Sequence, residues 1–381
     1  MTTSPELDPA GSLRSTHEAS GHSVDFGRNL CIVLGLPFDV IDLDTAVARI
    51  QAAVALRTRL FISTPNTNFV VAALRDKTFR DSVFHSDMSL MDGKPLVWAA
   101  RLMGIPVPER VSGADVFEAL GRPGSDPMSI YLFGGQPGIA ARAAENINAA
   151  HGPLRCVGFD DAGFGSVEDM SDDATIDRIN ASGADFLVVS LGAAKGQAWI
   201  EHNLARLQVP VVSHLGAVVG FVAGSVQRAP PWMRRLGLEW LWRVKEEPQL
   251  WKRYLCDGSV LLRLLALNVA LGALRRRPSK LSNGPAQQIC RISELETGTT
   301  MSLIGPLGGA QRQALKRMCH LSACASRRLT IDISSVTEID NGCLADLMLL
   351  RSYRRRCGLL SEVRFSDQIS ELVVSQLLAD K

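Results

Sequence analysis

The sequence predicts an α/β protein of two domains, a larger one built on a largely parallel sheet and a smaller α/β one behind it. Three observations carry this. Short β-branched or apolar runs alternate with helical patterns from Leu30 to Leu274, the rhythm of strands joined by helices. Three of those runs end in Gly-containing turns that open a helix. The character then changes at Gln288, after which a β-α-β-α-β-α order fits a domain of about 90 residues.

Taken in order, residues 1–28 are polar, lack an apolar leader and read as a disordered tail. Cys31–Leu34 is the first strand, and a helix opens at Leu43-Asp44-Thr45 and runs to about Leu56. Asp42-Leu43-Asp44 matches the D-x-D of metal-dependent sugar transfer, but Asp44 sits where a helix N-cap belongs. Arg59–Ser63 is a strand ending in Thr64-Pro65-Asn66-Thr67-Asn68, followed by a helix to about Asp87. Ser89–Met91 leads into Asp92-Gly93. Met128–Phe133 runs into Gly134-Gly135, Asp185–Ser190 into Leu191-Gly192, and Val209–Ser213 into His214-Leu215-Gly216. Such turns line one sheet edge with helix N-termini, where open α/β sheets bind anions such as a diphosphate. In the second domain Met301–Ile304, Leu329–Ile339 and Val363–Phe365 read as strands. Ala310–Ser322, Leu344–Cys357 and a last segment read as helices.

Net charge is only +2, but between Ser225 and Lys280 twelve Lys/Arg face four Asp/Glu, so this stretch carries +8 and the rest −6. That asymmetry points to a localised anionic partner. The eight cysteines show neither a CxxC pair nor metal-ligand spacing and read as reduced thiols. Four of six tryptophans (Trp232, Trp240, Trp242, Trp251) lie between Arg228 and Tyr254. Trp232, Leu236, Trp240 and Val244 recur every fourth residue, the stripe of one helix. Val260–Leu274 is apolar and closes on Arg275-Arg276-Arg277. Fifteen residues reach about 22 Å, short of a bilayer core of about 30 Å, so a surface-lying or protein-packed helix is expected.

By the Arg228–Tyr254 stretch the residues resemble the WecG/TagA/CpsF family of bacterial glycosyltransferases. The matching pieces are Thr64-Pro65-Asn66, Met91-Asp92-Gly93, Glu109-Arg110-Val111-Ser112-Gly113-Ala114-Asp115, Phe133-Gly134-Gly135 and Val189-Ser190-Leu191-Gly192. Further on come Ala223-Gly224, Arg228-Ala229-Pro230, Gly237-Leu238-Glu239-Trp240, Arg243, Glu247-Pro248 and Arg253-Tyr254. The resemblance implies a Rossmann-like domain over residues 29–278, with residues 228–277 facing the membrane, then a linker at 279–288. It implies inverting, metal-independent transfer from a UDP-sugar to a saccharide on undecaprenyl diphosphate, in surface or exopolysaccharide synthesis. Asp92 would be the catalytic base, with Thr64 and Asn66 beside it. One departure stands out: where the family usually reads Pro-Lys-Gln-Glu, this chain has Ala194-Lys195-Gly196-Gln197. Residues 289–381 resemble a STAS domain by Leu329–Ile333, Ser334-Ser335-Val336 and Ile339-Asp340. Asn341-Gly342 stands where regulated members carry a phosphorylatable Ser, so a docking or stabilising module is expected, with a protein partner or second copy as what it would dock.

Inverting transfer needs a base for the acceptor hydroxyl and stabilisation for the departing UDP. With the D-x-D set aside, arginine supplies the second. The substrate-binding set is then Asn68, Gly134, Gly135, Gly192, Lys195, Gln197, Arg228, Arg234, Arg243 and Arg253. No metal, cofactor or nucleic acid enters this reading. It places the protein in the cytoplasm, peripheral on the inner face of the plasma membrane. Asp115 is expected at a helix start and Glu239 beside an arginine. His85, His202 and His214 are expected in surface or capping roles. A dinucleotide oxidoreductase is disfavoured by Gly turns that lack G-x-G-x-x-G. A non-catalytic membrane scaffold acting through the second domain is the alternative.

Overall fold

The computed structural model of the chain describes residues 14–17, 22–163, 165–274, 290–295, 298–325 and 328–364. Two hairpins come first: β1 (Arg14–His17) with β2 (His22–Asp25), and β3 (Leu30–Val33) with β4 (Leu36–Asp39). The next run is α1 (Leu43–Ala55), β5 (Leu60–Ser63), α2 (Thr67–Arg75), α3 (Lys77–Phe84), β6 (Met88–Ser89), α4 (Lys94–Leu102) and α5 (Gly113–Leu120). It continues through β7 (Met128–Gly134), α6 (Ile139–Ala149), β8 (Leu154–Asp160), α7 (Asp173–Ala181), β9 (Phe186–Ser190), α8 (Ala193–Asn203) and β10 (Val211–His214). Four helices follow, α9 (Val218–Val222), α10 (Pro231–Leu236), α11 (Glu239–Glu246) and α12 (Trp251–Leu274). The last group is β11 (Cys290–Leu295), β12 (Gly298–Leu307), α13 (Gly309–Ala323), β13 (Leu329–Ile339), α14 (Asn341–Arg356) and β14 (Ser361–Arg364).

The chain divides into two compact units, Phe38–Ala273 and a second made of Met1–Pro37 with Leu274–Lys381. The first holds a parallel sheet in the order β6-β5-β10-β9-β7-β8. Its strands alternate between two buried layers, as period-2 side chains must. Ile62, Ile130, Leu132, Phe186 and Val188 face α1, α5, α6 and α9, while Phe61, Tyr131, Phe133, Leu187 and Val189 face Ile176, Trp199 and Ile200 of α7 and α8. Trp199 stacks on Phe133 at 4.3 Å and donates its indole N–H to the Met170 carbonyl at 2.8 Å. Because all six strands run the same way, the turns after β6, β5, β10, β9 and β7 share one edge.

The second unit carries a sheet in the order β11-β12-β13-β14, antiparallel only at β11–β12. Helices α13 and α14 pack on one another, and β2 and β3 lie against α14.

Several expectations change here. Residues 1–28 are not all tail: β1 and β2 form in them, and Val24, Phe26 and Arg28 are buried. Polar composition conceals this because the apolar anchors are spaced singly. The strand expected at Cys31–Leu34 is β3, but it stays in its own hairpin outside the six-stranded sheet. The helix expected through Asp87 breaks at Asp76, whose extended backbone (φ −131°, ψ 112°) starts α3 with its own carboxylate as cap. Asp42, not Asp44, caps α1 by accepting the Thr45 N–H. The four-residue stripe from Trp232 is two helices, because Gly237 (φ 74°) ends α10 in the left-handed region. Any side chain there would press on Lys94 and Trp98 of α4. The helix expected over Val260–Leu274 starts nine residues earlier, at Trp251. Among the described residues no helix is long and apolar enough to cross a membrane. Strand β8 escapes notice in the sequence because Gly158 interrupts its alternation; a Cβ there would overlap the Tyr131 ring. Arg275-Arg276-Arg277, the 279–288 linker and the segment after Phe365 lie outside the described residues.

Candidate active site

The turns after β5 and β6 are laced together by their backbones. Leu90 N–H donates to the Ser63 carbonyl at 2.8 Å and Asp92 N–H to the Pro65 carbonyl at 3.0 Å. Val111 N–H donates to the Met91 carbonyl at 3.0 Å, which draws the 109–115 stretch to the same place. Asp92, Thr64, Asn66 and Arg110 are thereby assembled from three separate loops. Gly113 makes the close approach possible, since a Cβ there would overlap Leu215 and lie 3.4 Å from Cγ2 of Thr64.

Asp92 precedes Gly93, which begins α4 with φ 125°, a value that favours glycine. Its carboxylate has no hydrogen-bond or ion-pair partner among the described residues, yet it is half-buried. Burial pushes its pKa up from 3.8 to about 7; Arg110 and Arg228 pull it down, and Glu239 and Asp115 push it up. A carboxylate poised near neutrality with an open edge is suited to take a proton from a substrate hydroxyl.

Around it runs a chain of alternating charges. Arg110 donates to Asp115 at 2.6 Å and to Glu239 at 2.5 Å. Arg228 in turn holds Asp115 and Glu118, and Arg234 stands 3.6 Å from both carboxylates. Ser112 caps α5 through the Asp115 N–H and donates its hydroxyl to the Asp115 carboxylate at 2.7 Å. Burial alone would raise the Asp115 carboxyl, but Arg110, Ser112 and Arg228 outweigh it and hold the group below its ordinary value. On the other side Tyr254 lies within electrostatic reach of Asp92, Arg243 and Arg253, and burial raises its hydroxyl pKa. Arg253 sits 5.3 Å over the Tyr254 ring and is exposed.

The expected site residues fall into three groups. Asp92, Thr64 and Asn66 stand together, although the Asn66 side-chain oxygen is committed to capping α2 through the Asn68 and Phe69 N–H groups. Asn68 turns to Asp257 of α12 at 3.4 Å. The glycines sit on the shared edge, where Gly134 (φ 94°) serves close packing, with a Cβ only 2.8 Å from the Ser190 carbonyl. Gly135 also has positive φ (105°), and Gly192 caps the N-terminus of α8 in open space. Lys195 donates to the Gly165 carbonyl at 3.0 Å.

The rest differ from expectation. Gln197 is fully buried and ties α8 to β5 and α3, donating to Ser63 Oγ at 2.6 Å and to the Ser82 carbonyl at 3.3 Å. Its place in the helix puts it on the core side, so no substrate contact is open to it. Arg228, Arg234 and Arg243 are matched by carboxylates, the last by Glu247 at 2.6 Å, so they do not stand as open cations. Arg110 is the residue overlooked. Its signal was the Ser112-x-x-Asp115 capping spacing two residues on, which fixes where a helix starts and hence where Arg110 ends up. Asp115 at the start of α5 and Glu239 beside an arginine are as expected. His85 caps α3 and pairs with Glu201 at 3.0 Å. Buried His214 meets the Leu191 carbonyl at 2.5 Å, and burial lowers its pKa.

The model of the glycosyl transferase WecG/TagA/CpsF family matches residues 31–276. This chain belongs to that family. It is therefore an enzyme of the glycosyltransferase class. The WecG/TagA/CpsF chain is similar to N-acetylglucosaminyldiphosphoundecaprenol N-acetyl-beta-D-mannosaminyltransferase of Bacillus subtilis (strain 168), at 32% identity over 206 residues. That match covers 54% of this chain and 78% of the relative. The protein of the same description from Bacillus spizizenii (strain ATCC 23059 / NRRL B-14472 / W23) is 27% identical over 196 residues, covering 51% and 74%.

Proposed function

We propose that this chain moves a sugar from a UDP-sugar to a saccharide carried on undecaprenyl diphosphate, with inversion and without a metal. The observation that carries it is the Asp92 carboxylate, unpartnered at the strand-end edge with its pKa pushed up to about 7. In the reaction Asp92 takes the proton of the acceptor hydroxyl, and the freed oxygen attacks the anomeric carbon. The bond to UDP breaks on the opposite face, and the diphosphate leaves with the electron pair. Arg253, exposed on the Tyr254 side of Asp92, neutralises the departing charge. Arg110 holds Asp92 ionisable near neutrality. The acceptor class follows from the relatives, whose names specify a sugar on diphosphoundecaprenol.

The exposed apolar set supports a reading of this enzyme as peripheral on the membrane. Trp98, Leu102, Trp232, Leu236, Trp240, Trp251 and Leu255 are each at least two-fifths exposed, on α4 and α10–α12. So many large apolar groups seldom remain in water without a use. The Trp251 indole, with the Lys252 ammonium 5.7 Å from its centre, suits a headgroup boundary. We further read the second unit as a STAS-like docking module, on the alternation of β12, α13, β13, α14 and β14. Release of UDP with a lipid-diphosphate acceptor, compared between wild type and Asp92→Asn, tests the enzymatic reading. Equal turnover by both proteins overturns it.

A further inference from the structure

Within the second unit, three polar side chains are spent on the main chain of one segment. The Asn341 carboxamide takes Ile32 from both sides, accepting its N–H at 2.5 Å and donating to its carbonyl at 2.7 Å. Arg312 donates to the Leu30 carbonyl at 2.6 Å and to the Asn29 side-chain oxygen at 3.0 Å, while Asp346 braces it at 2.9 Å. Lys316 donates to the carbonyls of Arg28 at 2.6 Å and Gly27 at 3.2 Å. Lys316 and Asp346 are buried, as are Val24, Phe26, Leu30 and Ile32 of the segment. Gly342 is part of the same device: a Cβ there would stand 2.5 Å from Arg312 Nη1, barring the guanidinium from its path to Leu30.

We propose that α13 and α14 form a binding site for a peptide of two short extended stretches joined by a turn, apolar where it meets the helices, and that residues 22–33 of this chain are its resident ligand. The recognition follows the general mode of extended-segment capture, in which main-chain hydrogen bonds give affinity and apolar pockets give selectivity. Here side chains supply the main-chain bonds, through an Asn that mimics a neighbouring strand and two cations that collect carbonyls. The fit is specific, because with the segment in place the Lys316 ammonium is buried with its charge on two main-chain carbonyls and Arg312 is held by Asp346 on a third. Asn341-Gly342 thus acquires a purpose, the first residue gripping and the second making room. This inference stands independently of sugar transfer.

The test uses the full chain with a protease site placed in the Leu34-Gly35 turn between β3 and β4. After cleavage, the piece ending there should co-elute with the remainder on gel filtration. A synthetic peptide spanning residues 22–34 should displace it, and the same peptide with Leu30→Asp and Ile32→Asp should not. Loss of the piece should be at least tenfold faster in Asn341→Asp, which replaces the donor to Ile32 by a second acceptor, and in Gly342→Ala. In the uncleaved chain, hydrogen exchange at Ile32 should quicken at least tenfold in Asn341→Ala, which removes the acceptor of that N–H, while amides of β9 stay as slow as before. That second measurement decides the matter should the cleaved protein aggregate. A piece that leaves at once from the wild type, equal displacement by both peptides, or unchanged protection of Ile32 in Asn341→Ala would each overturn the proposal.

Discussion

The guanidinium of Arg110 reaches the Glu239 carboxylate at 2.5 Å, across 129 residues of chain. This contact fastens α11 beside the turn that carries Asp92 and sets a cation next to a carboxylate with no partner of its own. Replacing Arg110 by Gln removes the largest influence holding the Asp92 pKa down and leaves Glu239 and Asp115 pushing it up. The acid limb of kcat/KM against pH should therefore move above 7, with activity at pH 7 falling and partly returning at pH 9. Arg110→Lys should shift it less. An unmoved limb in Arg110→Gln would separate this pair from the chemistry.

Asp92→Asn should lower turnover by about two to four orders of magnitude, the usual worth of a general base. The same change should raise stability at alkaline pH. Between about pH 4 and 7 folded Asp92 keeps a proton that the unfolded chain has released, so stability falls as pH rises and stays reduced above 7. Removing the charge removes that loss. The melting temperature at pH 8 should rise by about 2–4 °C for each kcal/mol recovered, with no gain at pH 3.5. Thermal unfolding at the two pH values checks the sign.

Gly196 and His214 form a lock that the departure from the family pattern makes possible. A Cβ at 196 would overlap the imidazole. Gly196→Ala should cost about 1–3 kcal/mol, as overpacking does, and His214→Ala in the same chain should restore part of it. Equal melting temperatures for wild type and Gly196→Ala would show that the ring moves aside freely.

Membrane attachment is checked with Trp251→Ser combined with Leu255→Ser. Binding to vesicles rich in anionic lipid should fall several-fold. Transfer to a soluble short-chain acceptor should remain, since both residues are exposed and neither is among the groups placed around Asp92. Loss on both acceptors alike would place them in the fold or the site instead.

Much of the parallel sheet was legible because Leu60–Ser63, Phe186–Ser190 and Val211–His214 are buried on both faces and read as continuous apolar runs. Asp92 was legible as a strand-end residue beside glycine. The state of the arginines was not. Arg228 meets Asp115 and Glu118 from more than a hundred residues away, and no local pattern announces which cation finds which carboxylate. Gln197 was misplaced for a related reason: polarity suggests a surface, whereas Ser63 and the Ser82 carbonyl offer it a buried one. The docking of residues 14–17 and 22–33 was hidden because their partners lie about three hundred residues further along the sequence.

That last arrangement bears on how the protein comes to be made. Ile32 and Asn341 are separated by 309 residues, which at about 5–20 residues per second is roughly 15–60 s of translation. The segment carrying Phe26, Leu30 and Ile32 leaves the ribosome well before its receptor, with residues 38–273 synthesised in between. During that interval its apolar side chains have no native cover, which makes them natural clients for a nascent-chain chaperone. Slow synthesis would prolong the exposure, and truncation anywhere before α14 would make it permanent.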